Sequence, residues 1–178
     1  MRSLNVAQAA LLLVSSCAAA AADNPDQWAP AMNQRAPPLV LTALSGETID
    51  LANLRGKVVL VNYWATWCAP CRKEMPTFDA FYRRYRDHGL EIVGISIDFE
   101  RDMKKVHKAA GALSYPVAVV AGITEDGFGR QEGVPITYVI DTEGVVRDRF
   151  IAAPNKLVHD VVVPMLPHST ASGVVGGQ

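Results

Sequence analysis

The stretch Val58–Cys71, with the sequence VVLVNYWATWCAPC, leads from an apolar run into two cysteines that are separated by two residues. The apolar run, from Lys57 to Ala65, predicts a buried strand. The segment 70–88 predicts a helix, because apolar and aromatic residues recur in it at three- and four-residue steps: Met75, Phe78, Tyr82 and Tyr85. A buried strand, a Cys-x-x-Cys turn and a helix in this order indicate a redox site.

Cys68 and Cys71 are the candidate catalytic pair, and the reaction that suits them is thiol–disulfide exchange. Such exchange requires one thiolate that attacks and a second thiol that resolves the mixed disulfide. A helix N-terminus favours a thiolate at Cys68, and Pro70 costs no hydrogen bond in the first turn of a helix. We therefore expect Cys68 to be the exposed, attacking sulfur and Cys71 to be the more buried, resolving one.

Other uses of this cysteine pair fit the sequence less well. A zinc site needs about four ligands, whereas the nearest histidine, His88, lies a whole helix away. A purely structural disulfide between Cys68 and Cys71 closes too short a loop to stabilise the fold much. A non-enzymatic protein that holds copper(I) between the two thiolates remains an alternative. The sequence indicates no cofactor and no built metal site.

The chain has 178 residues, of which 49% are hydrophobic, and a formal net charge of -1. This length is sufficient for one domain with a substantial core. No half of the chain is strongly basic, so nucleic-acid binding has no electrostatic support. The predicted domain contains only two cysteines, whereas small exported domains that depend on structural disulfides contain more.

The first 22 residues have the layout of a secretory signal peptide. Arg2 is their only charged side chain, an apolar stretch follows, and Ala20–Ala22 offers small residues for cleavage. Two alternatives remain open: lipidation at Cys17, which ends a lipobox-like Val-Ser-Ser-Cys, and an uncleaved anchor that is just long enough to span a bilayer. All three place the domain outside the cytoplasm, in the periplasm or cell envelope.

The remaining sequence predicts one domain at 37–167, after a linker at 23–36 and before a disordered tail at 168–178. Strands and helices alternate, which predicts a sheet with parallel strands, helices on both faces and an antiparallel edge. In chain order we expect a hairpin at 39–51, a strand at 57–65, a helix at 70–88, a strand at 90–98, a helix at 101–110, a strand at 116–120, a loop at 121–133, a hairpin at 136–151 and a helix at 155–165.

Two blocks of this sequence resemble the thioredoxin superfamily, and within it the exported TlpA/ResA-like branch. They are Val59–Pro76, VLVNYWATWCAPCRKEMP, and Gly133–Asp141, GVPITYVID. The resemblance covers about 37–167. It implies an α/β, thioredoxin-like fold, in which helices flank a central mixed sheet that carries an N-terminal hairpin and a short insertion.

The resemblance also implies roles for residues around the cysteine pair. Pro135 corresponds to the cis-proline that faces the cysteines, and Val134 offers its backbone to an extended substrate segment. Without the resemblance, Pro135 could equally be a trans proline that opens an edge strand. Glu74 corresponds to an acid that influences cysteine ionisation, although a glutamate there also suits the first turn of any helix. Trp67 is expected to flank and shield Cys68.

Two departures from cytoplasmic thioredoxins bear on proton transfer. Asn62 stands where those proteins have a buried aspartate, and Gly94 stands where they have a lysine. The usual proton relay for the resolving cysteine is therefore missing, which makes Glu74 a plausible substitute. A peroxidase on the same fold is disfavoured, because its peroxide pocket requires the pattern Pro-x-x-x-Thr-x-x-Cys. Before Cys68, Val61 and Ala65 stand at the proline and threonine positions of that pattern.

The resemblance also suggests a direction and partners. Ala-Pro between the cysteines resembles the reducing members, which points to a reductant of protein disulfides that a membrane thiol donor keeps reduced. Apocytochrome c cysteines and a copper-site dithiol are the substrates that the branch suggests. Ile136 follows the implied cis-proline where the cytochrome-maturation branch usually has glutamate, so we favour a general TlpA-like role.

Overall fold

The computed structural model describes residues 29–131, 133–152 and 155–167, with the backbone alone for 155–158. The predicted leader at 1–22, the lipidation candidate Cys17 and the predicted tail at 168–178 lie outside these residues. The end of the predicted linker contacts the domain, because Arg35 forms a β-bridge with Val145 and the amide of Asn33 donates to the carbonyl of Val146 at 2.7 Å. No helix in the described ranges is long and apolar enough to cross a membrane.

Seven strands form one mixed sheet in the order β2-β1-β5-β4-β3-β6-β7. The pairs β5–β4 and β4–β3 are parallel, and the other four pairs of adjacent strands are antiparallel. The strands are β1 Leu39–Ala43, β2 Thr48–Asp50, β3 Val58–Trp64, β4 Leu90–Ser96, β5 Val117–Asp126, β6 Ile136–Ile140 and β7 Val146–Ile151. The predicted mixed sheet, its N-terminal hairpin and its C-terminal hairpin are confirmed.

In the described part of the chain, three α-helices accompany the sheet: α1 Ala69–Tyr85, α2 Met103–Ala110 and α3 Asn155–Val162. The predicted helix at 70–88 ends in a short 3-10 turn, Arg86–His88, and Gly89 follows it with a φ of 84°. This left-handed backbone conformation explains why a glycine ends the helix there.

The sequence predicted helices on both faces of the sheet, whereas the core side chains of all three helices join one cluster. That cluster contains Met75 of α1, Val106 of α2 and Val162 of α3, together with alternate residues of β3. The connections β3–α1–β4 and β4–α2–β5 step across the sheet in the same direction. Because such crossovers are right-handed, both helices lie on the same face. Strand and loop residues, including Phe128, cover the other face.

The predicted loop at 121–133 is wrong in its first half, because β5 continues to Asp126. The second half of β5 pairs antiparallel with β1, with Leu39 opposite Asp126 and Leu41 opposite Ile123. The sequence Thr-Glu-Asp-Gly resembles a turn, but backbone hydrogen bonds to β1 hold most of it in the sheet.

Candidate active site

The two cysteines lie where β3 ends and α1 begins, and they form a disulfide. Cys68 has an extended backbone and caps the helix, and its Sγ accepts a hydrogen bond from the amide of Cys71 at 3.2 Å. Of the two residues, Cys71 is 1% exposed and Cys68 is 4% exposed. Cys71 is thus the more buried, as expected, but Cys68 is not exposed in this disulfide form.

A second wall of the site comes from the segment before β6. The Val134–Pro135 peptide bond is cis, as the resemblance implied. The carbonyl oxygen of Val134 lies 3.6 Å from the Sγ of Cys68. The segment that the sequence singled out for substrate contact therefore lies directly against the candidate nucleophile.

The turn between β3 and the cysteines is fixed by side chains that sequence reasoning did not identify. Asp98, two residues beyond β4, accepts hydrogen bonds from the amide and hydroxyl of Thr66 at 2.8 and 2.6 Å. It also accepts one from the hydroxyl of Ser96 at 2.8 Å, and Arg72 of α1 donates to the carbonyl of Thr66 at 2.6 Å. The sequence held one signal for the contact between Asp98 and Thr66. Both residues follow strands that run parallel, and parallel strands end at the same edge of a sheet.

The two tryptophans near the cysteines are placed very differently. Trp64 is fully buried in the core, whereas Trp67 is 60% exposed although it directly precedes Cys68. Trp67 therefore flanks the cysteine pair at the surface, where an approaching molecule can contact it.

Glu74 lies in α1, one turn after Cys71, and its side chain is half-buried. Burial raises the pKa of Glu74 to about 7. Its Oε2 atom has no hydrogen-bond partner among the described residues. The charge of Glu74 contributes to raising the pKa of Tyr115, after the larger effects of burial and of Asp79. A carboxyl group with this pKa exchanges protons near neutral pH, which suits a proton-transfer role.

The strands beneath the cysteines contain no acid at the position where cytoplasmic thioredoxins have one. Asn62 is buried, stands opposite Gly94 in the parallel register, and donates a hydrogen bond to the hydroxyl of Thr137 at 2.9 Å. A Cβ atom on Gly94 would lie 3.1 Å from the ring of Tyr115 and 3.3 Å from Nε1 of Trp64. Two aromatic side chains thus occupy the space that a lysine would need.

The described part of the chain contains no group of three or more His, Cys, Asp or Glu side chains placed to hold a metal ion. The cysteine pair is therefore the chemically distinctive feature of this end of the sheet. A strand, a two-cysteine turn at a helix N-terminus and a facing cis-proline segment define a thioredoxin-like redox site.

The family profile described as AhpC/TSA matches residues 32–149, and the chain belongs to this family. It is similar to the thiol-disulfide oxidoreductase ResA of Bacillus cereus, with 34% identity over 125 residues that cover 70% of this chain and 72% of the relative. The thioredoxin-like protein YneN of Bacillus subtilis is 36% identical over 127 residues, which cover 69% of this chain and 73% of YneN.

Among solved structures, a secreted thiol-disulfide isomerase from Corynebacterium glutamicum matches with a TM-score of 0.60 and 26% identity. The match covers 72% of this chain and 83% of that protein. The thioredoxin-like fold and the ResA-like resemblance predicted from the two sequence blocks are confirmed. The chain is a thiol–disulfide oxidoreductase.

Proposed function

We propose that this thiol–disulfide oxidoreductase reduces protein disulfides outside the cytoplasm, with Cys68 as nucleophile and Cys71 as resolving cysteine. The observation that carries the proposal is the geometry of Cys68. Its sulfur accepts the amide hydrogen of Cys71 at the N-terminus of α1 and lies 3.6 Å from the carbonyl of Val134. Backbone N–H groups at a helix N-terminus stabilise a thiolate.

In the reducing direction, the thiolate of Cys68 attacks one sulfur of a substrate disulfide. A bond forms between Cys68 and that sulfur, and the other substrate sulfur leaves as a thiolate that takes up a proton. Cys71 then attacks the Sγ of Cys68, which releases the second substrate thiol. The substrate gains two electrons and two protons, and the protein is left with the Cys68–Cys71 disulfide.

Glu74 is proposed to accept the proton that Cys71 loses before it attacks. The support is its position one helical turn from Cys71 and a pKa of about 7, so that its charged form is available near neutral pH. Trp67, Val134 and Pro135 are proposed to contact the substrate around the reacting sulfurs. Their support is their place beside Cys68, with Trp67 largely exposed.

The reducing direction is supported by the Ala-Pro dipeptide between the cysteines, and it requires a donor that regenerates the thiols. We propose a membrane thiol donor for this step, with the domain in the periplasm or cell envelope. The leader-like residues 1–22 support that location, and membrane attachment through Cys17 or an uncleaved leader is compatible with it. A general TlpA-like role is favoured over cytochrome c maturation because Ile136 follows Pro135.

The proposal is tested by trapping the substrate. The Cys71→Ser variant keeps the nucleophile but lacks the resolving thiol, so it should accumulate mixed disulfides on Cys68 that mass spectrometry identifies. The Cys68→Ser variant is the matched control and should trap nothing and fail to reduce insulin. Insulin reduction that persists in Cys68→Ser would contradict the nucleophile assignment. An inactive protein whose reduced form binds copper(I) tightly would favour the copper-handling alternative.

A further inference from the structure

The turn that joins β3 to the cysteine pair, residues 65–67, is held from two sides through its middle residue, Thr66. The amide and the hydroxyl of Thr66 donate to the carboxylate of Asp98 at 2.8 and 2.6 Å, and its carbonyl accepts from the guanidinium of Arg72 at 2.6 Å. Every polar group of Thr66 thus has a partner outside the turn. We name these three hydrogen bonds the Thr66 anchor.

Both partners of Thr66 are themselves fixed. Asp98 also accepts a hydrogen bond from the hydroxyl of Ser96 at 2.8 Å, and that hydroxyl accepts one from the amide of Asp98 at 3.1 Å. Ser96 is fully buried at the end of β4. Arg72 lies in the first turn of α1, where its amide donates to the carbonyl of Cys68 at 3.2 Å. The Thr66 anchor therefore joins the turn to the end of β4 on one side and to the start of α1 on the other.

A carboxylate suits the place of Asp98 better than a neutral side chain of the same size. Asp98 accepts three hydrogen bonds at once, two from Thr66 and one from Ser96. An amide side chain has only one accepting oxygen, and its nitrogen can only donate. Hydrogen bonds to a charged carboxylate are also stronger than those between neutral groups. The charge and both oxygens of Asp98 thus contribute to holding Thr66.

The Thr66 anchor does not depend on the redox state of the cysteines. In the oxidised protein the disulfide holds Cys68 and Cys71 together, with their Cα atoms 5.3 Å apart. When the disulfide opens, the anchor remains, because none of its hydrogen bonds involves sulfur. The two sulfurs must meet again in every cycle of exchange. A freely moving segment before Cys68 would lower the effective concentration of one sulfur at the other, and a fixed turn keeps it high.

We infer that Asp98 is a positioning residue for the exchange reaction: through Thr66 it holds the turn before Cys68, so that the two sulfurs stay within reach after the disulfide opens. The inference rests on the proposed function, which makes Cys71 the resolving cysteine. In the resolution step, the sulfur of Cys71 forms a bond to that of Cys68, and the bond from Cys68 to the substrate sulfur breaks. The substrate sulfur leaves with the electron pair of that bond and takes up a proton. The anchor accelerates this step, whereas the first attack, which Cys68 makes alone, depends on it less.

The test follows the two steps separately with the aromatic disulfide dithiobis(nitrobenzoate) and the reduced full chain. Attack by Cys68 releases one thionitrobenzoate and resolution by Cys71 releases the second, so that stopped-flow absorbance shows one phase for each step. Thr66→Val removes the hydroxyl but keeps the size of the side chain. We expect its second phase to be about tenfold slower than in the wild type, the size of one hydrogen bond to a charged group. The first phase should change much less.

The redox equilibrium with glutathione gives a second measurement, which a loss of overall stability would not move by itself. Loosening the turn makes it harder to close the disulfide, so the equilibrium constant for oxidation of Thr66→Val should fall by about tenfold, a rise of about 30 mV in reduction potential. Asp98→Asn should change both measurements in the same direction, because asparagine keeps the size but has one accepting oxygen. Thr66→Ser retains the hydroxyl and should restore the wild-type values.

Thr124→Val is the matched control. Thr124 also donates a hydroxyl hydrogen bond, to the carbonyl of Val40 at 3.2 Å, but on the exposed part of β5. Its loss should leave the second phase and the glutathione equilibrium unchanged. The inference would be overturned by an unchanged second phase in Thr66→Val, by an equal slowing of both phases, by Thr66→Ser behaving like Thr66→Val, or by the same change in Thr124→Val.

The glutathione equilibrium also separates this inference from the proposed function, because it does not depend on which cysteine attacks. A lowered constant in Thr66→Val, together with insulin reduction that persists in Cys68→Ser, would reject the nucleophile assignment and support the positioning role of Asp98. An unchanged constant and second phase in Thr66→Val, together with mixed disulfides trapped by Cys71→Ser, would support the proposed function and reject the positioning role.

Discussion

Glu74 is the residue of the site whose behaviour depends most on its surroundings. Burial raises its pKa from 4.5 to about 7. A carboxyl group whose pKa is raised by folding binds more protons in the folded chain than in the unfolded chain between these two values. Its contribution to stability is therefore fully present below about pH 4.5 and is lost as the pH rises through about 7.

Replacement of Glu74 by glutamine removes this titration while keeping the size of the side chain. We expect the free energy of unfolding of Glu74→Gln, relative to that of the wild type, to increase between about pH 4.5 and pH 7 and to be constant above about pH 8. Denaturant unfolding of both proteins across this pH range measures the difference. Glu100→Gln, at an exposed position, is the control and should show no such increase.

The same variant tests the proposed proton transfer. If Glu74 accepts the proton of Cys71, Glu74→Gln should slow the resolution of the mixed disulfide, most strongly near and above pH 7 where the wild-type carboxyl is charged. Stopped-flow measurement of the resolution step against pH provides the profile. Identical profiles for the two proteins would exclude the proton role and leave Glu74 with only its effect on stability.

Single residues also show what the sequence can and cannot predict about the site. The two cysteines were identified directly, because their spacing lies between a buried strand and a helix. The two hydrogen bonds from Thr66 to Asp98 were not predicted. Both depend on which strand ends and loops meet in space, and no local pattern in the sequence encodes that meeting.

At the scale of elements, the space beside the parallel strands β3 and β4 is tightly filled at Gly94. A methyl group there would come within 3.1 Å of the Tyr115 ring and 3.3 Å of Trp64 Nε1, both in buried side chains. We expect Gly94→Ala to destabilise the fold by about 1–3 kcal/mol, as overpacked cores generally do. The midpoint of denaturant unfolding at constant slope measures this cost.

Gly133→Ala is the matched control for this prediction, because a Cβ atom on Gly133 has nothing within 4 Å. It should change stability by less than about 1 kcal/mol, and in the stabilising direction if the unfolded chain loses flexibility. An equal loss of stability in both variants would show that packing at Gly94 is not the cause.

Elements with strong periodicity were predicted well, whereas β5 was not. The segments that became β3, β4 and α1 carry continuous apolar runs or helical spacing, and their positions agree within a few residues. The second half of β5 is polar and largely exposed, so its only reason to be a strand is its pairing with β1. That pairing joins segments about 80 residues apart, beyond the reach of any local pattern.

On the scale of the whole molecule, the disulfide is coupled to folding through a thermodynamic cycle. If the fold stabilises the disulfide more than the two thiols, the reduction potential of the folded protein lies below that of the unfolded chain, and the protein is a reductant. A difference of about 1.4 kcal/mol corresponds to about 30 mV for two electrons. Cys71 is buried among apolar side chains, which accommodate the uncharged disulfide. The hydrogen bond from the amide of Cys71 to the sulfur of Cys68 acts in the other direction, because it stabilises a thiolate there.

If the protein is a reductant, as proposed, the fold stabilises the disulfide by more than the hydrogen bond from Cys71 stabilises the Cys68 thiolate, and the oxidised form is the more stable one. We expect its free energy of unfolding to exceed that of the reduced form by at least about 1.4 kcal/mol. Urea unfolding of the same preparation with and without a dithiol reductant measures the difference, and a variant with both cysteines replaced by serine should not respond to the reductant. Greater stability of the reduced form would mean that folding favours the thiols, as in strongly oxidising members of this enzyme class, and the direction of the proposed reaction would be reversed.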